Sequence, residues 1–142
     1  MRVGPVDVFV YTFPGADVAP AVLESFGDAV RVGAVALIDV VVLSRTPDGV
    51  LTVADLDSGL RDEWRDLVVD GEAMTLLSEA DIALASEHVG DGEAGLVAAV
   101  EYRWAERVAE QVRHSGGTTA LHARVPHEAV VRAFLADGAA AT

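Results

Sequence analysis

Asp39 is the residue whose type and position most invite chemistry. It sits inside Ala34–Arg45 (AVALIDVVVLSR), a run otherwise apolar on both alternating faces. Burying an unpaired carboxylate is costly, so this Asp needs a reason. One is general-base chemistry, with a pKa raised by burial. The others are a partner, either an Arg or a backbone donor, or a place at a protomer boundary. A second constellation is Glu101-Tyr102-Arg103-Trp104, where a strand pattern gives way to a helix pattern. Glu101 near a helix start complements the dipole. Arg103 and Arg107 lie one turn apart and could grip a carboxylate or phosphate. Glu106 and Glu110 share that helix, so local ion pairs are the simpler account. Trp104 reads as core before it reads as a stacking platform.

Other catalytic patterns are missing. His88, His114, His122 and His127 are scattered, with no H-E-x-x-H or H-x-x-x-H spacing, and a metal would require convergence from separate elements. His114 at a helix C-terminus is accounted for by the dipole. No serine lies in a G-x-S-x-G elbow, and no phosphate-binding glycine loop occurs. There are no cysteines, which removes disulfides, thiolate ligands and a thiol nucleophile. The expectation is a chain without metal or cofactor and with no catalytic residue assigned.

These residues are positioned by an alternation of strands and helices. Val6–Phe13 is rich in β-branched and aromatic residues and reads as a strand, closed by Pro14-Gly15. Asp17 is expected to cap a helix starting at Val18, with Val18, Val22 and Phe26 as its apolar stripe. Ala34–Arg45 reads as a central strand. Thr46-Pro47-Asp48-Gly49 turns it into Val50–Leu56, giving a hairpin. In the irregular stretch 57–77, Leu60, Trp64, Leu67 and Val68 fit a short amphipathic helix. Ser78-Glu79-Ala80-Asp81 resembles a capping box that opens a helix to about His88. Gly95–Tyr102 is a strand, and Arg103–Ser115 a helix with Trp104, Val108 and Val112 as its apolar stripe. Thr118–Val125 reads as a last strand, and Pro126 opens a final helix with Val130, Val131, Phe134 and Leu135 apolar. The tail from Asp137 is expected to fray.

The expected fold is α+β: a ferredoxin-like βαββ set followed by αβαβ, mostly antiparallel, with helices on one face of the sheet. The 142 residues suit one domain, in halves 1–56 and 78–136 joined by the connector 57–77. The net charge of −13 opposes nucleic acid and anionic lipid. No signal-peptide pattern opens the sequence. The apolar run 32–43 falls short of the roughly 20 residues of a spanning helix. A cytoplasmic protein without stable membrane insertion is expected.

Several segments, in order along the chain, carry a resemblance. They are Gly4-Pro5-Val6-Asp7, Phe13-Pro14-Gly15, Ile38-Asp39-Val40-Val41 with the Thr46–Gly49 turn, Ser78–Ile82, Glu101–Ala105 and His114–Gly117. Together they resemble a family of small uncharacterised actinobacterial proteins. That family is similar to a broader group of membrane-associated proteins of unknown function, in which a glycine-rich hydrophobic hairpin joins two halves. The corresponding stretch here, 57–77, is polar and short, so the resemblance implies a fold and no membrane anchor.

The leading expectation is a non-catalytic domain that self-associates as a homodimer or binds a protein partner, with Trp64 as an unassigned aromatic. The alternative is a ligand or enzymatic pocket between sheet and helices using Asp39, Glu101, Arg103 and Arg107. A third reading, from the broader group, is a peripheral membrane stress-related protein.

Overall fold

Pro20 fixes where the first helix starts. The residue before a proline is pushed out of the helical region, and Ala19 is extended (φ −59°, ψ 132°). Helix α1 therefore begins at Pro20, where a missing N–H costs nothing, and runs to Arg31. The expected start at Val18 with an Asp17 cap is corrected for this reason. The computed structural model describes residues 4–68 and 76–140. In chain order its elements are β1 (Val6–Pro14), α1, β2 (Val35–Arg45), β3 (Leu51–Ala54), α2 (Asp62–Arg65), α3 (Glu79–Ser86), β4 (Glu93–Tyr102), α4 (Arg103–His114) and α5 (His127–Ala140).

The fold is α+β. Its four described strands form an open sheet in the order β1-β4-β2-β3, and every pairing is antiparallel. The last strand thus lies between β1 and β2. This central position explains why β4 is apolar at successive residues. Leu96, Ala98 and Val100 join one core cluster, whereas Val97 and Ala99 join another on the opposite face. The first cluster holds Leu37, Val40 and Trp64 of α2, with Val22, Leu23, Phe26 and Val30 of α1 packed on it. The second holds Val41, Leu43, Leu77 and Ala85 of α3. Helices therefore cover both faces, not one. A strand pair apolar on both sides exposes two surfaces to water, and a single helical layer hides only one.

The ends of the helices are chemically specified. Gly33, at φ +74°, closes α1 in a Schellman motif: Gly33 N–H donates to the Val30 carbonyl and Ala34 N–H to that of Ala29. The expected capping box opens α3, with Ser78 Oγ accepting from Asp81 N–H and Asp81 Oδ2 accepting from Ser78 N–H. Arg45 donates to the carbonyls of Val89, Ser86 and Gly49, so one guanidinium ties the β2–β3 turn to the end of α3.

Gly95 of β4 lies against Val89 of the segment after α3. A Cβ there would lie 2.6 Å from Cγ2 of Val89, and a valine methyl has little freedom to retreat. Gly95→Ala is expected to cost about 1–3 kcal/mol by overpacking. The check is a lowered urea midpoint at constant m; an unchanged midpoint would mean that Val89 is not packed on this strand.

Residues 1–108 form one compact unit and residues 109–142 another. In the second, residues 118–126 carry no regular secondary structure, so the expected last strand is corrected. A strand is held by its ladder, and this unit has no other strand among the described residues to supply one. Helix α5 starts after Pro126, whose carbonyl accepts from Ala129 and Val130 N–H, and continues to Ala140. Part of the tail expected to fray is thus helical, while residues 141–142 lie outside the described range, as do 69–75 of the connector.

Candidate functional site

Asp39 occupies a β-bulge. Leu37 pairs with Val100 and Asp39 with Ala99, leaving Ile38 as the extra residue of β2. Asp39 therefore stands opposite a member of the α3-side cluster. Its residue is 4% exposed, and Oδ2 accepts the N–H of Leu77 at 3.0 Å. Burial raises its pKa above the ordinary 3.8; N–H groups of Leu77, Val40 and Leu76 pull it back in part, and the charge of Asp55 adds a smaller upward push. Of the possible reasons for an Asp here, the backbone donor applies: the carboxylate fastens the chain just ahead of the α3 cap.

Glu101 and Arg103 are brought together. Glu101 is buried, its Oε2 accepts the N–H of Gly4 at 2.8 Å, and its Oε1 lies 3.5 Å from Nε of half-exposed Arg103. Arg107 goes elsewhere. Its guanidinium lies over Gly33 at the C-terminal end of α1, so close that a Cβ on Gly33 would be 2.9 Å away. A cation there complements the carbonyl end of the helix. The two arginines thus serve different neighbours, and a joint grip on one anion is not formed.

The two tryptophans exchange their expected places. Trp64 is 5% exposed and meets Phe26 edge-on, with ring centroids 5.9 Å apart. It belongs to the core and is covered within the chain. Trp104 is 57% exposed, and Val108 one turn on is also exposed. The reason is the junction. No loop separates β4 from α4, and the N–H groups of Arg103 and Trp104 both donate to the Ala34 carbonyl. That fixes the rotation of α4, leaving Ala105, Glu106 and Ala109 partly buried instead.

A cavity of about 600 Å³ lies between α1 and the sheet. It lies within the range of small-molecule sites. Its floor carries Phe9 and Phe13 of β1 and Val100 of β4; its roof carries Ala21, Ser25 and Ala29. These three small residues recur at every fourth position, one row beside the bulkier Val22 and Phe26. A row of small side chains stands off the sheet where its neighbour fills the gap. Tyr11 and Tyr102 also line the cavity, and the Tyr11 ring stacks on that of Phe9. Burial, then Tyr11, pushes the Tyr102 phenol up from its ordinary value, so it stays protonated at neutral pH. None of Asp39, Glu101, Arg103 and Arg107 lines this space. The small-residue row is the sequence signal for it, masked by the larger apolar stripe on the same helix.

Among the described residues there is no group of three or more His, Asp or Glu arranged to hold a metal ion, and no helix long and apolar enough to cross a membrane. The class defined by fold and site is an α+β protein with a four-stranded open antiparallel sheet, its two central strands β2 and β4 buried on both faces, and a cavity beneath α1. The chain belongs to DUF6325, a family of unknown function, whose model matches residues 2–141. No curated protein and no solved structure matches it.

Proposed function

We propose that this chain is a non-catalytic domain that works by binding another protein surface, in the first instance a second copy of itself. The observation that carries this reading is the state of residues 109–137. None of their side chains is fully buried, and the unit presents Leu121 at 84% and Phe134 at 73% exposure, with Val125 and Leu135 also exposed. Apolar surface left in water forfeits roughly 25 cal/mol per Å², so large side chains shown this way favour association. A closed two-fold pair is the commonest arrangement for like chains. The candidate polar groups support the non-catalytic part. Asp39 and Glu101 are occupied by backbone donors, and the two arginines serve separate neighbours. We read the βαββ order, with β4 splitting β1 from β2, as kin to the ferredoxin-like arrangement, and the chain as a cytoplasmic protein.

Light scattering of the full chain across micromolar concentrations tests the reading. The expected mass is twice the 14.8 kDa of one chain, falling to the single-chain mass in Phe134→Ser/Leu135→Ser. A strict 14.8 kDa species at every concentration would overturn the homodimer.

A further inference from the structure

The geometry points to a binding site for a neutral, largely apolar small molecule in the cavity between α1 and the sheet. Charge decides the class of ligand. The chain has 23 acidic and 10 basic residues, yet no charged side chain lines the cavity. An ionic ligand would find no opposite charge in the lining, and an anion would also enter against a net charge of −13. The lining includes the rings of Phe9, Phe13 and Phe26. They suit an aromatic or branched aliphatic body. The polar side chains at the lining are hydroxyls, among them Ser25 of the roof and Tyr102 of the floor. They allow one or two hydrogen bonds with a carbonyl, hydroxyl or amine, which would orient the ligand. Phe26 lines the cavity on one side and touches Trp64 on the other, so an occupant would alter the surroundings of a buried fluorophore.

The site stands apart from the self-association proposed above, since its lining residues all lie within residues 1–108. The test uses the full chain and two probes with the same aromatic body. N-phenyl-1-naphthylamine is neutral, and 8-anilinonaphthalene-1-sulfonate carries a sulfonate. Titrations are run at about 0.15 M salt, where charges beyond roughly 8 Å are largely screened. The neutral probe is expected to bind saturably, one per chain, and the sulfonate at least tenfold more weakly. Ser25→Leu and Ala29→Leu each fill the cavity from the roof. Each is expected to weaken the neutral probe at least tenfold, with a melting temperature equal to or above that of the parent. If either variant fails to fold, Tyr102→Phe keeps the cavity's shape and removes one hydroxyl, and is expected to weaken the probe about threefold or more. In Trp104→Phe, which leaves Trp64 as the sole tryptophan of two, the probe is expected to quench the remaining emission. The site is overturned by non-saturable binding, by equal affinity for the two probes, or by folded roof variants that bind like the parent.

Discussion

Trp64→Ala is expected to destabilise the chain by about 4 kcal/mol, while Trp104→Ala stays within about 0.5 kcal/mol of the parent. The contrast follows from placement. Trp64 comes from a helix of one turn, Asp62–Arg65, too short to persist by its own hydrogen bonds. Its indole reaches the cluster around Leu37, Val40 and Leu96 and meets the edge of Phe26. Truncation removes that burial and leaves a void between α1 and the sheet. Trp104 gives up little on truncation, because more than half of it is already in water. Urea unfolding with unchanged m measures both. A Trp64→Ala loss under about 1 kcal/mol would mean that α2 is not docked on the sheet, since core Trp truncations ordinarily cost several times that. A large loss for Trp104→Ala would mean that its ring is covered in the working protein.

Asp39→Ala is expected to cost about 2–3 kcal/mol, because the buried N–H of Leu77 loses its acceptor. Asp39→Asn restores an acceptor oxygen and is expected to recover about half of that. The pair also separates the role of charge. Asp39 has a higher pKa in the folded chain than its ordinary 3.8, with burial as the largest cause. The folded state then holds this proton more tightly than the unfolded state does. The stabilisation from protonation is fully present below the unfolded value and is lost as pH rises through the folded one. Relative to Asp39→Asn, the parent is therefore expected to gain stability as pH falls from neutral towards about 4, and to level off below the ordinary aspartate range. Comparing the two variants cancels the general relief of acidic repulsion that any chain of this charge feels. A parent-minus-Asn difference that is flat with pH would mean that the carboxylate is solvated and the bulge open.

Sequence alone determined the elements held by local chemistry. Pro14-Gly15, Pro47-Asp48-Gly49 and the Ser78–Asp81 box mark boundaries that the structure keeps, because turn geometry and caps depend on a few adjacent residues. The double-sided apolar run of β2 announced a central strand, and Leu60, Trp64 and Val68 announced a buried stripe, though not which surface would bury it. Asp39 stood out because an acid among valines must be answered by something. What answered it is a backbone N–H 38 residues along the chain, set by how α3 docks on the sheet, and no spacing rule encodes that. The same holds for Trp104: a helical stripe shows that a face is apolar, but the direct β4–α4 junction decided which way it turns. Thr118–Val125 has the composition of a strand and lacks a ladder, because pairing belongs to two segments and a sequence pattern to one. The cavity came from a third such coincidence, in which a row of Ala21, Ser25 and Ala29 met Phe9 and Phe13 across the layer. Local propensity wrote the list of elements; long-range packing chose their partners, because burial depends on what lies opposite, and only the folded chain settles that.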